Sequence, residues 1–297
     1  MLIQLALAAL SAMSLPTAIP APEPRDPPRP VPVALSAPTR LVQTAHDLYW
    51  TAGTTVYRTS KNADPGQENV LYTESGAGRN FGALVYADGI YVVVNADGAS
   101  QIKRVPGGEV VATPEEPIGV RDLVTDGRLL IWPDAHGVRA VPIRGGPVHT
   151  LAQGSGITHL ALDGGTLYYA EGKRIHRIGL EGEALFATAD RAVTSLYARG
   201  GVVFYGSADG SVWRKAEGEA AVVLRPATDG RTVASVFSDG RRVLWSDCST
   251  SAPECAVGTW LAGYDWSFLS GPRTHDVLAD PHATYFGDAS GVWRFSR

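Results

Sequence analysis

Three features recur along this chain: apolar and polar residues alternate at period two in short runs, glycine-bearing turns separate the runs, and one hydrophobic-aromatic triplet returns seven times at intervals of about forty residues. Together they predict an all-β fold, specifically a seven-bladed β-propeller closed by an N-terminal strand that pairs with the last blade. The clearest copy is ITHLALDGGTLYYAEGKRIHRIGLEGEALFAT, Ile157–Thr188. It reads as four strands, Thr158–Leu162, Thr166–Ala170, Arg174–Gly179 and Ala184–Thr188. A lone four-stranded meander has two faces and two open edges, so neighbouring copies must cover it.

In chain order, Leu2–Leu15 is an apolar run too short to span a bilayer, and it reads as the core of a signal peptide. Cleavage is expected near Ala18 or Ala21, which assigns residues 1–21 to the signal peptide. The proline-rich spacer 22–30 follows, and the β-propeller domain is expected over 31–297. The triplet, taken as each blade's second strand, is Leu48-Tyr49-Trp50, Ile90-Tyr91-Val92, Leu130-Ile131-Trp132, Leu167-Tyr168-Tyr169, Val203-Phe204-Tyr205, Val243-Leu244-Trp245 and Thr284-Tyr285-Phe286. A turn such as Asp88-Gly89 or Asp239-Gly240 precedes most copies. A third strand of the form apolar-x-Arg follows in five, ending in Arg58, Arg104, Arg177, Arg214 and Arg294. These arginines are expected to staple each blade to a turn carboxylate of its neighbour.

The last copy has three strands and no fourth. Val31–Ala37 (VPVALSA) reads as a fourth strand with no blade before it, and pairing it with Val292–Ser296 would close the ring. Closure on itself predicts a monomer.

Composition narrows the partners. A net charge of −4 with no basic stripe excludes nucleic acid as the expected partner, and no polybasic run suggests an anionic membrane. No membrane span is expected. The two cysteines, Cys248 and Cys255, are too few for a structural zinc site and are read as a disulfide. Export to the periplasm or the medium follows from that bridge and the N-terminal segment.

Leu48-Tyr49-Trp50-Thr51, Val243-Leu244-Trp245-Ser246-Asp247 and the apolar-x-Arg strands resemble the YWTD class of propellers in lipoprotein receptors and secreted bacterial propellers with similar blades. The resemblance spans about residue 31 to the end. It departs from that class in blade number, seven against six. It implies the fold, and a role in protein or ligand binding.

Aligning the copies places Arg40, Ala83, Asp122, His159, Ser195, Ser235 and Asp276 at equivalent starts of the innermost strands, around the mouth of the central channel. Arg121 and His275 precede two of them. Asp122, His159 and Asp276 form the candidate metal site, for a divalent ion such as calcium or magnesium. Lactonases and lyases built on propellers put metal ligands at such mouths, which this set resembles in position. Arg40, Arg121 and His275 are candidate ligand-binding residues. Against the metal reading, Arg40 or Arg121 is expected to pair with Asp122 or Asp276. Tyr264 and Trp266, near a hairpin tip in blade six, are candidate anchors for a protein, small-molecule or carbohydrate ligand.

Acidic residues beside glycine in the second-to-third strand turns, such as Asp97, Asp134, Asp209 and Asp288, are explained by hairpin chemistry without calcium. G-x-S-x-G, H-E-x-x-H and P-loop motifs are absent. The expected function is therefore a binding scaffold acting through its loop face, without a resident cofactor and without catalysis. The alternative is a metal-assisted lyase or lactone hydrolase at the channel mouth.

Overall fold

The computed structural model describes residues 30–119, 122–261 and 276–296, and the backbone of 264–269. The signal peptide and all but the last residue of the spacer lie outside the described residues, as do Arg121 and His275. Among the described residues there are 28 strands and no helix. They form seven four-stranded antiparallel sheets, so the chain is a seven-bladed β-propeller. Blades one to six occupy residues 40–73, 80–112, 124–153, 157–188, 193–225 and 231–269, each with its strands side by side in chain order.

Blade seven is completed from the other end of the chain. Strands Val277–Ala279, Ala283–Asp288 and Gly291–Ser296 are followed in the sheet by Val31–Ala34, with Val31 opposite Arg294 and Ala34 opposite Val292. The strand is shorter than the expected Val31–Ala37, and Leu35 beyond it is exposed. Pro32 fits because this strand is a sheet edge, where a missing N–H breaks no ladder.

The join reproduces the register of a native blade. In blades one to five the pairing of third and fourth strands slips beside Val56, Ile102, Val138, Ile175 and Val212. In blade seven it slips beside Val292 in the same way. All six of these residues are fully buried. The N-terminal strand thus fills the place that Asn69–Thr73 fills in blade one.

The triplet's alternation has a direct packing cause. Side chains on a strand point to opposite faces in turn, so the outer two of each triplet meet one neighbouring blade and the middle one meets the other. Leu48 and Trp50 pack toward blade seven with Tyr285 and Val292, whereas Tyr49 packs toward blade two with Leu84 and Ile90. Leu167 and Tyr169 face blade three, and Tyr168 faces blade five. Val243 and Trp245 face blade five, and Leu244 faces blade seven. The core is seven such clusters, each drawn from two adjacent blades. Each buried Leu, Val or Trp contributes roughly 1.5–3 kcal/mol relative to exposure, and all of it depends on the neighbouring blade being present.

Buried ions lock two further seams. Asp247 of blade six, fully buried, accepts from Arg225 of blade five and from Arg231 of its own inner strand. Glu74, between blades one and two, accepts from Tyr72 at 2.6 Å, from Lys103 at 2.7 Å and from Arg79. Burial alone would raise the Glu74 carboxyl, but the bonds from Lys103, Tyr72 and Arg79 hold it below its ordinary range.

The expected arginine staple is corrected by the structure. Arg58 pairs with Asp47, Arg104 with Asp88 and Arg214 with Glu219, all within their own blades. Arg177 alone reaches a neighbouring carboxylate, Glu217 of blade five, and Arg294 donates to the Lys61 carbonyl of blade one at 2.7 Å. The third-strand register explains this: Arg58 lies opposite Tyr49, which brings it beside Asp47 two residues away on the adjacent strand.

Candidate functional site at the channel mouth

The inner strands enclose a channel of about 350 Å³. Its wall is mainly aliphatic, including Leu84, Leu123, Leu160, Ala161 and Val277, and its mouth carries Arg40, His159, Ser195, Ser235 and Asp276. Five of the seven aligned mouth positions therefore line the channel. In the other two blades Leu84 and Leu123 line it in place of Ala83 and Asp122.

A bulge sets these positions. In blades four, five and six the inner strand puts two residues opposite one of the second strand: Thr158 and His159 against Ala170, Thr194 and Ser195 against Gly206, Ala234 and Ser235 against Ser246. Such bulges bend a strand and re-aim its side chains at a rim. His159 adopts φ +50 there, a left-handed conformation that L residues rarely take. Gly206 lies so close to the bulge that an added Cβ would stand 2.6 Å from the Ser195 hydroxyl oxygen.

The mouth carboxylates are engaged in holding blades together. Asp276, 4% exposed, accepts from Arg40 Nη1 at 2.6 Å and from the Leu41 amide at 2.8 Å. One carboxylate thus binds both the side chain and the backbone of the neighbouring inner strand. Asp122 accepts from the His159 amide at 3.4 Å, tying blade three to blade four. Two uncharged contacts repeat the pattern: Thr194 donates to the Val233 carbonyl at 2.7 Å, and Asn95 Nδ2 donates to the Ile118 carbonyl at 3.0 Å. Three of the seven seams are fastened near the mouth by a polar side chain on a neighbouring blade's inner-strand backbone, and Asn95 holds the connector that leads from blade two to blade three.

Asp122, His159 and Asp276 do not meet as a set of ligands. Among the described residues no three His, Cys, Asp or Glu side chains are grouped to hold a metal ion. The Ser195 hydroxyl is buried with no protein partner among the described residues.

The turn carboxylates on this face serve their own hairpins. Asp209 accepts from the Ser211 amide at 3.1 Å and its hydroxyl at 2.6 Å, and Asp288 accepts from the Ser290 and Gly291 amides at 2.8 and 3.1 Å and from Trp293 Nε1 at 2.9 Å. Burial pushes the Asp209 carboxyl up, but the Ser211 hydroxyl bond and backbone amides outweigh it and hold it low.

Blade six carries the cysteine bridge. Cys248 and Cys255 sit opposite each other on adjacent strands and form the disulfide, which encloses the loop 249–254, exposed from Thr250 onward, on the mouth side. Tyr264 and Trp266 belong to the outer strand Tyr264–Leu269, and their side chains lie outside the described residues. Trp260 packs half-buried in the seam with blade five. Among the described residues no helix is long and apolar enough to cross a membrane.

No family model matches the chain, and no curated protein matches its sequence. Solved structures share the fold. The extracellular domain of BT4673 from B. thetaiotaomicron superposes with TM-score 0.70 at 10% identity, over 90% of this chain and 39% of that one. A chain of the mitotic checkpoint complex gives TM-score 0.68 at 12% identity, over 97% and 99%. The computationally designed Ika8 protein gives 0.59 at 15% identity, over 90% and 100%. At these identities the likeness is one of fold, and function has to be argued from the site.

Proposed function

We propose that this protein is an exported recognition scaffold that presents its channel-mouth face to a protein or small-molecule ligand, carbohydrate included, and acts as a monomer. One observation carries the reading: the charged mouth residues are occupied as fastenings between blades, Asp276 by Arg40 and the Leu41 amide, and Asp122 by the His159 amide. A reacting centre would need such groups turned toward substrate. What this face offers instead is a set of loops on a rigid ring, one of them restrained by the disulfide.

Export is supported by the bridge, since disulfides persist in oxidising compartments. The solved extracellular domain of BT4673 shows that this fold serves outside a cell in another protein. The YWTD-type motifs around Trp50 and Trp245 fit the same role, with both tryptophans buried as seam residues.

The test has two parts. Metal is measured in protein purified without chelators, and the expected result is no stoichiometric divalent ion. The protein is then applied to glycan and peptide arrays, alone and as a variant carrying Thr250→Glu and Glu254→Lys in the disulfide loop. Array binding that the loop variant loses supports the scaffold. Stoichiometric metal removed by Asp122→Ala with His159→Ala, together with lactone turnover lost in the same variant, would overturn it.

A further inference from the structure

The opposite end of the channel opens into a wider vestibule of about 930 Å³. It is built by the turns between first and second strands of blades one, six and seven, by the start of blade one's third-to-fourth strand connection and by the end of blade five's inner strand, contributing Lys61, Arg199, Asp239, Arg241, Asp280 and His282. Both of its carboxylates are matched. Lys61 Nζ is 2.8 Å from Asp280 Oδ2, and Arg242, which does not line the vestibule, is 3.0 Å from Asp239 Oδ2. Both carboxyls are held ionised: burial pushes each up, but Arg242 and backbone amides for Asp239, and Lys61 and backbone amides for Asp280, outweigh it.

Arg199 and Arg241 are left over. Arg199 Nη1 donates to the Ser238 carbonyl at 3.3 Å, and neither guanidinium has a carboxylate partner among the described residues. Among the residues that line the vestibule, Lys61, Arg199 and Arg241 against Asp239 and Asp280 leave an excess of one positive charge. The whole chain carries −4. A concave cationic site in an acidic molecule concentrates anions. A guanidinium is shaped to bind carboxylate or phosphate oxygens in pairs, and exposed His282 adds a third donor. The volume suits a small organic anion rather than a bare ion.

We propose that this vestibule is a second binding site, distinct from the mouth face, for a small organic oxyanion, a polycarboxylate or a phosphate ester, gripped by Arg199 and Arg241. The turns around it are rigidified by the Asp239 and Asp280 bonds, so the two guanidiniums are displayed on a fixed frame.

Isothermal titration of the full chain at low ionic strength with citrate and with inorganic pyrophosphate tests this. The expected result is one site per chain, tighter than about 1 mM for at least one probe and weakened at least about tenfold in an Arg199→Gln, Arg241→Gln variant. Binding of citrate alone identifies a carboxylate ligand, of pyrophosphate alone a phosphate ester, and of both a general oxyanion site. The control is Arg128→Gln with Arg144→Gln, which removes the same charge from exposed positions on blade three. No binding of either probe, or equal loss in the control, would overturn the proposal. All four positions are exposed, so the variants are expected to fold. The mouth residues take no part, and the result is independent of the scaffold reading.

Discussion

Arg40 and Asp276 stand 236 residues apart in the chain and 2.6 Å apart in space. The pair bridges the first and last blades at the channel mouth, on the same seam where Val31–Ala34 completes blade seven. Asp276 also takes the Leu41 amide, so a single carboxylate anchors the innermost strand while the N-terminal strand fastens the outer edge. The ring is closed from inside and outside at once.

Acid should loosen the ring at identifiable places. Glu74 and Asp280 titrate below their ordinary values in the folded state, so the stability they contribute is present above the normal carboxylate range and is lost as pH falls through the lowered values. Urea midpoints measured from about pH 6 down to about pH 3 should therefore decline, and a Glu74→Gln variant should start lower and decline less. An unchanged slope in the variant would show that Glu74 is not among the groups responsible.

Gly291→Ala should strike the closure directly. Gly291 holds φ +153, and an added Cβ would lie 2.1 Å from the carbonyl oxygen of Ala34. Displacing the closing strand and straining the turn should cost about 2 kcal/mol, read as a lower thermal midpoint. Gly53→Ala provides the comparison: it too has positive φ, but nothing lies near its added Cβ, so it reports turn strain alone.

Reducing the disulfide should have a modest global effect. The bridge spans a separation of seven residues between strands already paired, so chain entropy assigns it roughly 2 kcal/mol. Denaturant curves with and without reductant, and for Cys248→Ser with Cys255→Ser, should shift by that order while the native circular dichroism is kept. Loss of the folded state on reduction would show that blade six depends on the bridge.

Blade number, closure and five of the seven mouth positions were legible in the sequence because each is a matter of period. A triplet such as Leu167-Tyr168-Tyr169 repeats because each blade must face two neighbours, and Val31–Ala37, of which Val31–Ala34 forms the strand, was recognisable as the fourth strand that blade seven lacked. Partners were less legible. That Asp276 binds Arg40 was one of several pairings left open among four charged residues, since spacing along the chain does not rank contacts across a ring. The arginine staple misled for a related reason: apolar-x-Arg fixes which strand face the arginine occupies, but Asp47 and Asp88 of the same blade sit nearer than any neighbour's carboxylate. The vestibule went unread because Arg199 and Arg241 fall in Arg199-Gly200 and Asp239-Gly240-Arg241, which register as turn punctuation.

The stability of Asp276→Asn, measured beside the bound-metal content of the parent, tests most directly whether the mouth residues fasten the ring. If Asp276 is a fastening, the substitution leaves Arg40 without its charge partner, costs about 3 kcal/mol in denaturant unfolding, and removes no metal because none was bound. Unchanged stability, accompanied by loss of a stoichiometric divalent ion, would contradict the account.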